Sequence, residues 1–328
     1  MAPSATWQDL EPSDATHYRE CVAALGGARF EIINLLGVGG GGAVVLAQDL
    51  DLKTRVAIKC LGPDYTGSIE TRERFRREAL IATQLQHPNI VPCFEFTYRG
   101  RFAMAVMRYI PGQSLEQRLR GGQQFSTSAA LTLLISVADA LSHTHARGVI
   151  HRDVKPANIL LHEGDNWPFL TDFGIATLHT SEQSRSEVQK GYGTPAYMSP
   201  EQVLCQWDAD HRTDIYALGV VAFQLLTGRL PFEADSSLAQ AALRTVREAP
   251  SIHSVAPDVP EALAMVIEKC MARDPKRRWK NAAVLRLALL RVQNRERRAH
   301  LAPMEWCREV MHSWTLRPAK VRAVARIA

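Results

Sequence analysis

The chain has 328 residues, 46% of them apolar, which predicts one large bilobal unit or two packed units with a real core. No apolar run is long enough to span a membrane, and the N-terminus lacks the basic and apolar segments of a signal peptide. The net charge is +5, and residues 291–328, with nine basic and three acidic side chains, carry +6, so the rest of the chain sums to −1. None of the six cysteines forms a C-x-x-C pair, so a reducing cytoplasm is the simplest setting.

Residues 1–28 are polar and mixed, and we expect weak order there around a short helix at 14–25. Five short stretches then have the composition of strands separated by turn residues: 30–36, 43–49, 55–61, 94–98 and 102–107. The glycines of 37–42 predict a turn between the first two strands. Residues 70–85 have helical spacing, so this half predicts an antiparallel sheet with one helix.

After Pro111-Gly112 the pattern becomes mainly helical, and Ser114 is suited to cap the first helix. The longer predicted helices are 127–147, 214–227, 260–272 and 281–292. We therefore predict an α+β, bilobal fold. Its expected parts are an N-terminal extension (1–28), a small lobe (29–110), a large lobe (111–293) and a basic tail (294–328).

The tail contains one more predicted helix, at 304–316. Docking on the large lobe is the simplest expectation for it, and the alternatives are a partner-docking helix or a basic arm for an anionic surface. The scattered basic residues lack interleaved aromatic side chains for base stacking, which argues against nucleic acid.

The most informative motif is His-Arg-Asp-Val-Lys-Pro-Ala-Asn, which begins at His151 and is followed by Asp-Phe-Gly from Asp172. Asp153 can accept a proton from a hydroxyl group, and Lys155 can lie beside a phosphoryl group. Asn158 and Asp172 can hold metal ions. These side chains in this order are those that phosphoryl transfer needs.

A second motif, Gly37-x-Gly39-x-x-Gly42, lies between two predicted strands, where backbone N–H groups can approach phosphates. Dinucleotide-binding folds share this spacing but need a helix directly after the loop, and here another strand is predicted. Lys59 lies on the third strand in apolar surroundings, where a bare ammonium is costly. Glu78, on the following predicted helix, is its natural charge partner.

Over about residues 30–292 the sequence resembles eukaryotic-like (Hanks-type) protein kinases, most closely their bacterial serine/threonine branch. Besides the two motifs above, the resemblance is carried by Val56-Ala57-Ile58-Lys59, Glu78, His87-Pro88-Asn89-Ile90-Val91, Gly193-Thr194-Pro195-Ala196-Tyr197-Met198-Ser199-Pro200-Glu201, Asp214 and Arg278. The resemblance implies a role for each motif. The ATP-binding residues would be Gly37, Val38, Gly39, Gly40, Gly41, Gly42, Val44, Ala57, Lys59, Met107, Tyr109 and Ile110, with Met107 as gatekeeper of the pocket.

The resemblance also implies the catalytic and supporting residues. Asp153 would accept the proton of the substrate hydroxyl, Lys155 would steady the γ-phosphate, and Glu78 would position Lys59. Asn158 and Asp172 would bind two Mg²⁺ ions. The supporting residues would be Asp214, which hydrogen-bonds to the catalytic loop, and a buried Glu201–Arg278 pair beneath the substrate platform.

Serine/threonine specificity is indicated by Lys155 and Thr194, since tyrosine-directed relatives differ at both places. Arg152 would pair with a phosphorylated residue of the segment before Thr194, with Ser186 preferred and Ser184 next. The expected activity is therefore that of an ATP-dependent protein serine/threonine kinase with ATP and Mg²⁺ as cofactors. Its partners would be proteins bearing Ser or Thr, with a second copy of the chain as a candidate for autophosphorylation.

Two rival functions have sequence features against them. An idle scaffold that uses the fold only for binding would not need the intact set of Lys59, Asp153, Asn158 and Asp172. A small-molecule kinase of the aminoglycoside or choline type would lack the peptide platform at 193–201.

Overall fold

The computed structural model describes residues 12–39, 42–61, 83–99, 102–173, 195–206 and 209–315. The strands of this part are β1 (Phe30–Gly39), β2 (Gly42–Asp49), β3 (Thr54–Leu61), β4 (Cys93–Arg99), β5 (Phe102–Arg108), β6 (Gly112–Ser114), β7 (Ile159–His162) and β8 (Pro168–Leu170). Its α-helices are α1 (Pro12–Gly26), α2 (Leu115–Arg120), α3 (Thr127–His145), α4 (Pro200–Val203), α5 (Arg212–Thr227), α6 (Ser237–Val246), α7 (Glu261–Cys270) and α8 (Ala282–Thr315).

The small lobe is built on a five-stranded antiparallel sheet in the order β1-β2-β3-β5-β4, which confirms the predicted sheet. The prediction of a turn from position 37 onward was wrong, because β1 continues through the first glycines. Gly37 pairs with Val44, and Gly39 pairs with Gly42. Ladder hydrogen bonds offset the entropic cost of ordering glycine in a strand. The predicted helix at 70–85 lies almost wholly outside the described residues.

Helix α1 covers the face of this sheet that points away from the lobe junction. Side chains alternate along a strand, so Val45 of β2 and Ile58 of β3 share this outer face. Tyr18, Cys21 and Val22 of α1 are buried against it and form one apolar cluster with the strands. The expectation of weak order was therefore wrong for this helix. Its apolar side chains are buried against a sheet that lies later in the chain, and the sequence of the helix alone does not predict that contact.

We predict that Val22→Asp lowers the free energy of unfolding by roughly 2–4 kcal/mol, since an unpaired carboxylate would enter an apolar cluster. Val22 is 2% exposed. Ala23→Asp is the matched control, because it places the same charge on the exposed side of the same helix. Denaturant unfolding of both variants measures the difference. Equal stability of the two would show that α1 does not pack on the sheet in solution.

The large lobe is mainly helical, and α3 and α5 contribute more side chains to its apolar core than any other element of the described residues. Gly219 lets α5 approach α7 closely, because a Cβ at this position would lie 2.7 Å from Cβ of Cys270. At Gly228 the chain ends α5 in the left-handed conformation, which glycine adopts readily. The small sheet β6-β7-β8 was not predicted, because strands of three or four residues show no readable alternation.

The last helix, α8, is longer than predicted. The sequence separates helices at 281–292 and 304–316, whereas α8 runs without interruption from Ala282 to Thr315. Residues 293–302 are mostly good helix formers, which favours continuation of the helix beyond Val292. Near its start α8 packs on α3, where Nε of Arg286 lies 3.0 Å from Oδ1 of Asp139. Of the helices in the described part, none has both the length and the apolar character needed to cross a bilayer.

Candidate active site

The catalytic loop, residues 151–158, follows α3. Within it, the side chains of Lys155 and Asn158 orient the carboxylate of Asp153. Nζ of Lys155 lies 2.8 Å from Oδ2 of Asp153. Nδ2 of Asn158 donates to the same oxygen at 3.0 Å and to the Asp153 carbonyl at 2.8 Å. A short 3₁₀ turn, Pro156–Asn158, brings Asn158 back to Asp153. The side chain of Asp153 remains 35% exposed, so a substrate hydroxyl can reach it.

The hairpin of β7 and β8 joins the catalytic loop to Asp172. Ile159 pairs with Leu170 across this hairpin, and the N–H of Thr171 donates to the carbonyl of Asn158 at 3.0 Å. Asn158 and Asp172 therefore emerge from adjacent strand ends at the same edge. Asp172 itself has a φ of +65°, a left-handed conformation that few residues with a Cβ adopt.

Lys59 reaches from the small lobe to this edge, and its Nζ donates to Oδ1 of Asp172 at 2.6 Å. Burial alone would raise the pKa of Asp172, but the Lys59 ammonium outweighs it, and the net pKa is lowered. The aspartate is thus held as a carboxylate. The predicted partner, Glu78, lies outside the described residues, so its pairing with Lys59 stays a prediction.

One carboxylate and one amide oxygen at this edge suit a magnesium ion that completes its shell with water and phosphate oxygens. Asp172 supplies the first and Asn158 can supply the second, since its amide nitrogen is the atom that bonds to Asp153. No group of three or more His, Cys, Asp or Glu that could hold a metal occurs within the described ranges. Two protein ligands of this kind fit a metal that is shared with phosphate oxygens.

The inner face of the small-lobe sheet is the face that carries Lys59, and it faces Asp172. Val44 pairs with Lys59, and Ala57 pairs with Met107, so these four side chains share one face. Met107 is buried with Ile110 in a small apolar cluster near the lobe junction. Such an apolar surface beside a lysine suits a flat base attached to phosphates.

The other predicted nucleotide-binding residues fall in three places. Gly37, Val38, Gly39 and Gly42 form the end of the β1–β2 hairpin, and Tyr109 directly follows β5. Gly40 and Gly41 lie outside the described residues. The same is true of the predicted regulatory residues Ser184, Ser186 and Thr194.

Asp214 supports the catalytic loop from beneath. It lies at the start of α5, is fully buried, and accepts hydrogen bonds from the backbone N–H of His151 at 2.8 Å and of Arg152 at 2.7 Å. Nε2 of His145 adds a third bond at 2.8 Å. Burial would raise the pKa of Asp214, but the hydrogen bonds from His145 and from the backbone of His151 help to outweigh it, and the pKa is lowered. These bonds stabilise Arg152 at a φ of +63°.

Glu201 and Arg278 form a buried, two-pronged ion pair. Nη1 and Nη2 of Arg278 donate to the two carboxylate oxygens at 2.6 and 2.7 Å. The hydroxyl of Thr213 donates to the same carboxylate at 3.0 Å, and the guanidinium lies over the ring of Tyr216. Burial opposes ionisation of Glu201, yet Arg278 outweighs it and the pKa is lowered. The pair joins the start of α4 to the segment before α8.

Two residues at the site were not identified as site residues from the sequence. Nε2 of Gln202 donates to the carbonyl of Arg152 at 2.8 Å, and so joins α4 to the catalytic loop. His145 holds Asp214 as described above. Neither residue stands in a motif with its own chemical signal, and a polar residue on a helix is by default solvent-facing.

Comparison with known proteins agrees with this geometry. The protein kinase domain model matches residues 30–289, which is most of the chain. The chain belongs to the protein kinase domain family. It is similar to the serine/threonine-protein kinase PrkC of Bacillus subtilis, with 37% identity over 254 residues that cover 77% of this chain and 39% of PrkC. With Pkn1 of Myxococcus xanthus it shares 39% identity over 263 residues, covering 79% of this chain and 38% of that kinase.

Solved structures show the same relationship. The crystal structure of a double mutant of the Mycobacterium tuberculosis PknI kinase domain has 27% identity and a TM-score of 0.67. It covers 81% of this kinase chain and 96% of the PknI chain. The bilobal kinase fold predicted from the sequence is confirmed. This kinase chain spans about two fifths of the length of PrkC and Pkn1.

Proposed function

We propose that this chain is an ATP-dependent protein serine/threonine kinase that transfers the γ-phosphate of ATP to Ser and Thr hydroxyls of proteins. One observation carries the proposal: an unbroken series of contacts joins Lys59, Asp172, Asn158 and Asp153. The series consists of the Lys59–Asp172 ion pair, the bond from Thr171 to Asn158, and the bond from Asn158 to Asp153. This series supports assigning the phosphate-binding cation, the metal ligands and the base to one cleft.

Each residue then has a task that its position allows. Asp153, oriented by Asn158, accepts the proton of the attacking hydroxyl. Lys155, beside that carboxylate, neutralises charge on the transferred phosphoryl group. Lys59 binds the α and β phosphates from the small-lobe side. Since phosphoryl transfer needs little covalent chemistry from a protein, positioning and charge neutralisation account for most of the rate.

Metal binding belongs to the same proposal. Asn158 and Asp172 would hold Mg²⁺, which neutralises the phosphate oxygens when it is bound. The ammonium of Lys59 helps to keep Asp172 ionised, and a deprotonated carboxylate is the form that binds a metal ion.

The cysteines of the described residues, such as Cys21 and Cys60, are free thiols, which suits a reducing compartment. We therefore propose the cytoplasm as the site of action.

Regulation through the segment before position 195 is also proposed. Arg152 is held by Asp214 and Gln202 through its backbone, so its guanidinium is available for a phosphate on Ser186 or Ser184. A phosphate there would order the segment through charge-assisted hydrogen bonds. A second copy of the chain would be the partner in that reaction.

A single experiment tests both the activity and its regulation. The purified chain is incubated with Mg²⁺–ATP and three peptides that differ only in an acceptor Ser, Thr or Tyr, and the phosphate is located by mass spectrometry. We expect phosphate on the Ser and Thr peptides and on the chain between residues 177 and 194. Transfer to none of the peptides would refute the activity, and an unmodified segment would refute autophosphorylation there.

A further inference from the structure

Arg244 is a buried arginine that the proposed mechanism does not use. It lies on α6, is 1% exposed and ranks among the largest fully buried side chains of the described residues. Its Nη1 donates to the carbonyl of Pro195 at 2.7 Å and to the carbonyl of Met198 at 2.7 Å. A third, longer contact of 3.5 Å joins Nη2 to the carbonyl of Gln240 on the same helix.

The charge of Arg244 is not balanced by an acid in the described part of the chain. Its guanidinium carbon lies 5.8 Å from the centre of the Phe232 ring, and its hydrogen-bond acceptors are neutral carbonyl oxygens. Burial lowers the pKa of Arg244, an effect that nearby Tyr216 opposes. A guanidinium nevertheless stays charged in proteins, so this burial is costly unless the acceptors offset it. The short hydrogen bonds of the buried guanidinium are thus those to the carbonyl groups of Pro195 and Met198.

Those carbonyl groups belong to the segment that leads into Glu201. The short 3₁₀ turn Pro195–Tyr197 is buried, and the hydroxyl of Tyr197 donates to Oε1 of Gln224 at 2.7 Å. On its far side the segment is held by the pair of Glu201 with Arg278. Arg244 is the contact that fixes its near side to α6. Arg244 of α6 and Arg278 of the segment before α8 therefore hold this segment at both ends.

We propose that Arg244 is a positioning residue for the protein substrate. By holding the carbonyls of Pro195 and Met198, it fixes the position and orientation of the substrate platform, whose described part is residues 195–201. The acceptor Ser or Thr of a bound protein is thereby aligned with Asp153. This inference rests on the proposed kinase function. Within the described residues, the hydrogen bonds of Arg244 go to Pro195, Met198 and Gln240, none of which lies on the nucleotide side of the cleft, so its effect falls on the protein substrate and not on ATP.

The test compares Arg244→Met with Arg247→Met, which removes an exposed arginine three residues further along the chain. Steady-state kinetics with one acceptor peptide give KM for the peptide, KM for ATP and kcat. We expect Arg244→Met to raise KM for the peptide about ten-fold, because small shifts of a positioning surface have large effects. KM for ATP should stay within about two-fold of wild type, and Arg247→Met should leave all three constants unchanged.

Arg244→Lys provides the conservative variant, since an ammonium can still donate to these carbonyls. We expect it to recover part of the peptide KM, and it decides the question if Arg244→Met fails to fold. An unchanged peptide KM in Arg244→Met, or a parallel change of both KM values, would overturn the positioning role. A wild-type chain without transfer would instead refute the kinase function and the substrate role with it, whereas an active wild type that the variants match refutes only the role of Arg244.

Discussion

Replacing Asp153 with asparagine lowers kcat by roughly 10²–10⁴-fold, because a positioned general base contributes about this much. Asparagine has nearly the same shape, and its Oδ1 can still accept from Asn158 or Lys155. The local geometry is thus preserved while the base and its charge are lost. Steady-state turnover with the acceptor peptide measures the effect, and binding of Mg²⁺–ATP by calorimetry should remain close to that of the wild type.

Asp165→Asn is the matched control for this variant. Asp165 accepts from the N–H of Trp167 in the exposed turn between β7 and β8, outside the cleft. The same chemical change there should leave kcat unaltered. If Asp153→Asn retained wild-type turnover with an intact fold, Asp153 would not be the base, and proton transfer would have to be assigned to another group.

Replacing Arg278 with methionine lowers the free energy of unfolding by about 3–5 kcal/mol, since it leaves the carboxylate of Glu201 buried without its cation. The side chain of Arg278 is fully buried, and that of Glu201 is 5% exposed. The variant also removes donors to the carbonyls of Arg212, Ala272 and Arg273. Chemical denaturation at pH 7.5 measures the loss, and Arg277→Met, an exposed neighbour, should change stability by less than about 0.5 kcal/mol.

The pH dependence gives this prediction a second readout. In the wild type the pKa of Glu201 is lowered, so the pair stabilises the fold above the unfolded pKa and this contribution is lost as the pH falls. Without Arg278 the buried carboxyl has a raised pKa and destabilises the fold as the pH rises. The difference between wild type and Arg278→Met should therefore be smaller at pH 5 than at pH 7.5. A constant difference would show that lost packing, not the charge of Glu201, causes the effect.

The paired strands and the catalytic loop were predictable because their signals are local. Short, nearly continuous apolar runs define β2 and β3 within eight positions each, and phosphoryl transfer restricts the residue types of the loop that contains Asp153 and Asn158. The glycine run was misjudged for the opposite reason. Its strand state at Gly37–Gly39 depends on hydrogen bonds to β2, which a propensity for a single segment does not contain.

The sequence alone thus determined the family, the five-stranded sheet and the chemical groups of the cleft, since each follows from residue type and near spacing. Only the tertiary structure decided which surfaces meet. It paired Lys59 with Asp172 across 113 positions, packed α1 on the outer sheet face and buried Arg244, although arginine is a residue type that is mostly exposed. The physical reason is that burial and ion pairing depend on the neighbour that the fold supplies, and that neighbour is distant in the chain.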